Sequence, residues 1–203
     1  MAGQQPPRFQ PRFDEGPGWE TMAEDLQYAN PYLQVYLTRV RTPSRPEGSL
    51  WTVVHRKSAV VIAPMTPDGS FLLIRQERIP IRAAIWEFPA GQIDTPVQSA
   101  EAIHSTASRE LLEETGYELG SGGEWVPMGR YFSSPGFTDE NCHLFLARGV
   151  VPSAAGAKPD EHEAIQEVRA FSPADLRQMV ASGEIRDANT LTAFARMCAL
   201  GFI

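Results

Sequence analysis

The amino-acid sequence predicts a mixed α/β sandwich. Segments typical of strands lie on both sides of one segment with helical periodicity, and two more helical segments end the chain. Strands and helices do not alternate as they do in a regular βαβ series. The chain also lacks the glycine-rich dinucleotide motif and the P-loop. A doubly wound nucleotide-binding fold is therefore disfavoured.

The N-terminal part is predicted to contain a tail followed by strands. Residues 1–18 are rich in Pro, Gly and Gln and poor in aliphatic side chains, which predicts disorder. Strands are predicted at 32–41 and 50–56, with a Pro/Gly turn (TPSRPEGS) between them. We therefore divide the chain into a tail (1–18), an N-terminal strand region (19–56) and a main domain (57–203).

The main domain begins with a predicted hairpin. Residues 58–65 (SAVVIAPM) are continuously apolar, as in a strand buried on both faces, and a turn (PDG) leads into a strand at 71–78. A short extended piece, WEFPAGQI, covers 86–93. Further strands are predicted at 125–132, 141–150 and 164–171, with a loop at 152–163.

The strongest helix prediction covers residues 100–115. Ser99 suits the N-cap and Gly116 the C-terminal stop, and apolar side chains recur at every fourth position to make one stripe. Two shorter helices are predicted to begin after caps at Ser172 and Asp187.

The composition disfavours several classes of protein. The chain has 203 residues and a formal net charge of −7, and an acidic chain binds nucleic acid or anionic membranes poorly. No apolar run is long enough to span a bilayer, and residues 1–13 lack the apolar core of a secretory signal. Cys142 and Cys198 fit neither a disulfide framework nor a zinc site. We predict a cytoplasmic protein without nucleic-acid or membrane partners.

Three glutamates are concentrated on the predicted helix. Glu110, Glu113 and Glu114 project to adjoining parts of one face, where like charges destabilise a helix. Metal binding is one reason to tolerate this, because Mg²⁺ prefers carboxylate oxygens. The alternative is a solvated acidic face that is partly neutralised by Arg109, which lies four residues before Glu113.

Residues 109–117 (RELLEETGY) resemble the Nudix box, R-E-U-x-E-E-x-G-U with U apolar, and Glu101 also stands at the family's spacing. The resemblance implies an α/β/α sandwich with a mixed central sheet and an N-terminal antiparallel strand extension. It also implies metal-dependent hydrolysis of a nucleoside diphosphate derivative. The sequence departs from the pattern at one place: nine residues separate Gly91 from Glu101, more than in the family, so the loop at 92–100 is longer.

Four other segments resemble the branch of the family that contains ADP-ribose and nucleotide-sugar pyrophosphatases. They are WEFPAGQID, SSPGFTDE (133–140), RQERIPI (75–81) and GEIRDANTLTAF. This resemblance implies cleavage of ADP-ribose to AMP and ribose 5-phosphate. The alternatives are another nucleoside diphosphate sugar, of the UDP-glucose or GDP-mannose type, and a non-catalytic module that binds ADP-ribose. The intact box glutamates favour an enzyme.

The resemblance also implies roles for individual residues. The metal ligands would be the Ala90 carbonyl, Glu110, Glu114 and Glu163, holding Mg²⁺ or, as a substitute, Mn²⁺. Glu161 would be the general base, and Glu113 and Arg109 would support the site. Substrate contacts are expected from Trp51, Arg56, Arg78 and Glu140. A homodimer, built through the N-terminal strands, is expected from the resemblance alone.

Overall fold

The computed structural model describes residues 16–95, 99–158 and 163–203. Within them the chain forms two compact units. The first contains the described residues up to Ser58 together with Phe132–Asn141, and the second contains Ala59–Tyr131 and the described part of Cys142–Ile203. The sequence prediction assigns 132–141 to the main domain, whereas the structure groups these residues with the N-terminal strands. The reason is hydrogen bonding to β3, which is described with the site.

The first unit is a three-stranded antiparallel sheet in the order β1-β2-β3, formed by Glu20–Ala29, Leu33–Thr42 and Arg45–Arg56. The predicted strands correspond to β2 and β3. Strand β1 was not predicted, because most of its side chains are exposed and no apolar alternation marks it. The long predicted turn is wrong: Thr42 pairs directly with Arg45, so the turn is tight and β3 begins early.

The second unit is built on a sheet of seven strands, and the sheet is mixed, as predicted. Its strands are β4 (Ala59–Met65), β5 (Phe71–Arg78), β6 (Ala83–Glu87), β7 (Ala90–Gln92), β8 (Tyr117–Phe132), β9 (Asn141–Pro152) and β10 (Ile165–Phe171). The order is β10-β5-β4-β9-β8, with β6 beside β5 and β7 beside β4. Strand β4 runs parallel to β9 and antiparallel to β5. The extended piece predicted at 86–93 is divided between β6 and β7, because Pro89 lacks an N–H for a sheet ladder.

Three α-helices complete the unit: α1 (Ala100–Thr115), α2 (Pro173–Ser182) and α3 (Ala188–Ala199). The predicted N-caps at Ser99, Ser172 and Asp187 are confirmed, since each side chain accepts a backbone N–H three residues later.

Helix α1 packs on one side of the sheet, and α2 and α3 pack on the other. Val60 and Ile62 of β4 share a core with Leu111 of α1, whereas Val61 and Ala63 share a core with α2 and α3. The double-sided burial predicted for β4 and the α/β/α sandwich are therefore confirmed.

Within the described ranges, no helix is long and apolar enough to cross a membrane. The cytoplasmic location stays a prediction.

Gly116 ends α1 and contacts the chain that follows β9. Its φ of 74° lies in the left-handed region, and a Cβ there would approach the Ala157 nitrogen to 2.8 Å. The Gly116 carbonyl accepts a hydrogen bond from Ser153 N (2.8 Å), and the Glu113 carbonyl accepts one from Lys158 N (2.9 Å). Residues 153–158 are thus fixed to the C-terminal end of the helix that carries the glutamates.

We expect Gly116→Ala to be more destabilising than Gly183→Ala. Both glycines follow a helix with a positive φ, but nothing lies within 4 Å of a Cβ at Gly183. The left-handed conformation alone should lower the free energy of unfolding of Gly183→Ala by about 1–2 kcal/mol. Gly116→Ala should lose more, because the backbone at Ala157 must also move. Urea denaturation measures both, and equal losses would contradict this account.

Candidate metal centre and active site

The structure brings three glutamates together in the second unit. Glu110 and Glu114 lie one turn apart on α1, and Glu163 lies two residues before β10. One carboxylate oxygen from each falls within 4.8 Å of the other two. Glu110 and Glu114 are buried, with 4% and 1% of their surface exposed, so the alternative of a solvated acidic face does not apply to them.

The electrostatics of the cluster oppose three negative charges. Burial raises the pKa of Glu110 to about 7; the Arg109 charge opposes the rise, and those of Glu163 and Glu113 add to it. Burial also raises the pKa of Glu114 well above its usual value, and the charges of Glu163 and Glu110 act in the same direction. A divalent cation fits this arrangement, because all three donors are carboxylate oxygens and a positive charge would offset both burial and repulsion.

Arg109 links two of the box glutamates. One of its terminal nitrogens donates to Glu110 Oε1 and the other to Glu113 Oε2, each at 2.6 Å. The contact with Glu113 is expected from the sequence, because Glu113 lies four residues after Arg109 on the helix. The two bonds hold both carboxylates in fixed rotamers and partly neutralise them.

Strand β7 packs directly against the cluster. The Ala90 N–H donates to Glu114 Oε2 at 2.9 Å. At Gly91 a Cβ would lie 1.8 Å from Glu110 Oε1, so only glycine fits beside that carboxylate. The Ala90 carbonyl stays a predicted ligand, since the contact in the structure is made by its N–H.

Arg78 is engaged by a residue that the sequence analysis missed. Glu87, with 2% of its surface exposed, accepts hydrogen bonds from Arg78 Nε at 2.9 and 3.0 Å and from Nη2. Burial raises the pKa of the Glu87 carboxyl, and the ion pair opposes this rise. Glu87 lies in the quoted WEFPAG segment. Its partner could be found only from the pairing of β6 with β5.

The other three predicted substrate residues belong to the first unit, where the segment 132–141 lies along β3. Val54 N donates to the Phe137 carbonyl at 2.8 Å, and Trp51 Nε1 donates to the Gly136 carbonyl at 3.0 Å. Trp51 nevertheless remains 51% exposed. About half of its surface therefore remains open to solvent, although its N–H is anchored.

Arg56 and Glu140 form an ion pair at the end of the same contact. Arg56 Nη1 lies 3.1 Å from Glu140 Oε1, and Ser133 Oγ donates to Glu140 Oε2 at 2.7 Å. Next to them, His55 Nδ1 and Asp139 Oδ2 are 2.7 Å apart. These contacts fix the orientation of two predicted substrate residues relative to each other.

Three predicted features fall partly or wholly outside the described residues. Of the tail at 1–18, the structure describes only 16–18. Glu161, the predicted general base, lies outside the described residues. Of the longer loop at 92–100, the structure describes only 92–95 and 99–100.

We expect the metal-free protein to lose stability as the pH rises from about 4.5 to about 7. Glu110 binds its proton more tightly in the folded state, because its pKa rises from 4.5 to about 7. Its contribution to stability is therefore complete below pH 4.5 and is lost as the pH approaches 7. Glu110→Gln cannot ionise, so its stability should fall less over this range.

Urea denaturation in a chelator at several pH values measures this difference. Glu118→Gln, at an exposed position of β8, is the matched control and should follow the wild-type protein. Parallel pH profiles for Glu110→Gln and wild type would contradict the assignment of the raised pKa to Glu110.

Comparisons with known proteins agree with this geometry. The family model of the NUDIX domain matches residues 54–194. The chain is 30% identical to an ADP-ribose pyrophosphatase of Bacillus subtilis, covering 86% of this chain and 89% of that protein. It is 29% identical to an ADP-ribose pyrophosphatase of Mycobacterium tuberculosis (82% and 77%) and 33% identical to a methanol dehydrogenase activator of Bacillus methanolicus (70% and 72%).

A crystal structure of an ADP compounds hydrolase has the same fold. It superposes with a TM-score of 0.72 at 16% identity and covers 91% of this chain and 97% of that one. The family match and the relatives establish that the chain belongs to the NUDIX family of hydrolases.

Proposed function

We propose that the protein hydrolyses the diphosphate bond of ADP-ribose to AMP and ribose 5-phosphate, with Mg²⁺ as its cation and Mn²⁺ as a substitute. The observation that carries the proposal is the convergence of Glu110, Glu114 and Glu163 within 4.8 Å. Two relatives that align with more than four-fifths of this chain are ADP-ribose pyrophosphatases. Their names support ADP-ribose over the UDP-glucose and GDP-mannose alternatives.

The carboxylates of Glu110, Glu114 and Glu163, with the Ala90 carbonyl, are the proposed metal ligands. When bound, Mg²⁺ supplies positive charge against the diphosphate oxygens and against the charge that develops during hydrolysis. Arg109 keeps Glu110 and Glu113 in place through the two bonds described above. Through its bond to Arg109, Glu113 helps to hold the proposed ligand Glu110 in place.

Glu161 is our proposed general base. It would take a proton from the attacking water while the water oxygen bonds to one phosphorus and the bridging P–O bond breaks. The leaving phosphate takes the electrons of that bond. Lys158 N, hydrogen-bonded to the Glu113 carbonyl, attaches the chain three residues before Glu161 to α1. This attachment supports a role for the acidic loop beside the box glutamates.

Arg78 is our proposed phosphate contact. Its ion pair with Glu87 engages Nε and Nη2. This leaves Nη1 as the nitrogen that we assign to the substrate. A buried carboxylate that fixes one edge of the guanidinium reduces the entropy lost when the other edge binds an anion.

Trp51, Arg56 and Glu140 are the proposed contacts to the nucleoside and ribose groups. Trp51 supports a stacking role because its ring is half-exposed while its N–H is anchored to Gly136. Glu140 offers carboxylate oxygens held by Arg56 and Ser133.

We also propose a homodimer formed through the first unit. Large apolar side chains are exposed on its strands and their flanks, including Trp19, Met22, Tyr28 and Leu50. Such exposure is typical of an interaction surface. Light scattering should then give twice the mass of one chain, and a monomer would contradict the proposal.

Turnover of a substrate panel tests the proposed reaction. With Mg²⁺, wild type should convert ADP-ribose to AMP and ribose 5-phosphate faster than it cleaves UDP-glucose or GDP-mannose. Glu110→Gln should lower kcat by about two to three orders of magnitude, because a bound metal contributes several kcal/mol of transition-state stabilisation. The control Glu118→Gln should retain wild-type turnover.

Other results would select an alternative. Faster cleavage of a nucleotide sugar would replace ADP-ribose as the substrate. Binding of ADP-ribose without turnover of any compound would indicate the non-catalytic module. Near-wild-type turnover by Glu110→Gln would reject the assignment of the metal centre.

A further inference from the structure

The segment that joins β6 to β7 is fixed at four successive residues. Each is held by a different partner: Glu87 by Arg78, Phe88 N by Thr190 Oγ1 (2.8 Å), the Pro89 carbonyl by Ile62 N (3.0 Å), and Ala90 N by Glu114 Oε2 (2.9 Å). The next residue, Gly91, packs against Glu110. The position of this segment therefore determines how Ala90 and Gly91 contact Glu114 and Glu110, the two buried glutamates of α1.

Thr190 is the one partner in this set that comes from α3. Its side chain has 0% of its surface exposed. The hydroxyl donates to Asp187 Oδ2 at 2.8 Å and accepts from Phe88 N at 2.8 Å. A hydroxyl has one hydrogen, so its donation to Asp187 turns a lone pair towards the Phe88 N–H.

Capping of α3 does not account for this hydroxyl. Asp187 caps the helix by accepting the Thr190 backbone N–H at 2.8 Å, and any residue except proline at position 190 would supply that group. Besides its own bond to Asp187, the hydroxyl supplies the acceptor for Phe88 N. Without it, a buried N–H would lose its partner, which costs about 1–3 kcal/mol.

We propose that Thr190, oriented by Asp187, is a positioning residue for the carboxylate cluster. It fixes Phe88, and through the two residues that follow it sets the contacts of Ala90 with Glu114 and of Gly91 with Glu110. The inference rests on the proposed function only in taking the cluster to bind a divalent cation. The segment from Asp187 to Thr190 thereby acquires a role at the metal centre beyond starting a helix.

Mn²⁺ affinity without substrate tests the proposal, measured by the resonance signal of free Mn²⁺ well below the unfolding temperature. Thr190→Val keeps the branched shape and the capped N–H but removes the acceptor. We expect its affinity to fall about tenfold, as when an outer partner of a metal ligand is removed. Thr190→Ser, which restores the hydroxyl, should recover wild-type affinity.

Ser172→Ala is the matched control, because it removes the cap of α2, where Ser172 Oγ accepts from Asp175 N. It should lower stability without changing Mn²⁺ affinity. If Thr190→Val does not fold, Thr190→Ala makes the same test with a smaller side chain. Wild-type affinity in the Thr190 variants that fold would overturn the proposal.

The outcome is separable from that of the proposed function. If wild type binds Mn²⁺ and the Thr190 variants bind it weakly, the positioning role stands even when ADP-ribose is not hydrolysed. If wild type binds no Mn²⁺, both the metal centre and the positioning role are rejected.

Discussion

Two carboxylates that are hard to ionise, those of Glu110 and Glu114, impose the main constraint on the second unit. They lie one turn apart on α1 and are buried, and burial together with like charge raises the pKa of each. Glu110 receives a hydrogen bond from Arg109, and Glu114 receives one from the Ala90 N–H. Both bonds stabilise the charged carboxylates, but burial outweighs them. In the proposed function a divalent cation supplies the further positive charge that these carboxylates need.

The fold brings these groups together from distant parts of the chain. Helix α1 carries Glu110 and Glu114 against one side of the sheet, and β7 reaches them because Gly91 has no side chain. From the other side, α3 holds the segment before β7 through Thr190. The chain after β9 is attached to the end of α1 at Ser153 and Lys158. The cluster therefore depends on both helical layers, although its carboxylates come from α1 and from Glu163, two residues before β10.

The sequence predicted those parts of the structure that local chemistry determines. Helix α1 was predicted with its cap at Ser99 and its end at Gly116, because capping residues and apolar periodicity agree there. Strand β4 was predicted because its continuous apolar run indicates burial on both faces. Strand β1 was not, since its exposed side chains carry no periodic signal.

Pairings between distant residues left no local signal in the sequence. The partnership of Arg78 with Glu87 depends on the register of β5 and β6. The bond from Phe88 N to Thr190 spans more than a hundred positions. The segments that contain Phe88 and Thr190 both resemble the family, yet the resemblance did not predict that they are hydrogen-bonded to each other. The membership of 132–141 in the first unit likewise follows from hydrogen bonds to β3 that no single segment encodes.

The location of bound Mn²⁺ in a crystal would reveal which residues hold the cation. Crystals of the protein grown with Mn²⁺ give an anomalous signal that identifies the ion independently of any substrate. We expect a peak in contact with the carboxylates of Glu110, Glu114 and Glu163. A peak elsewhere, or none at these three residues in a well-ordered crystal at neutral pH or above, would contradict this expectation.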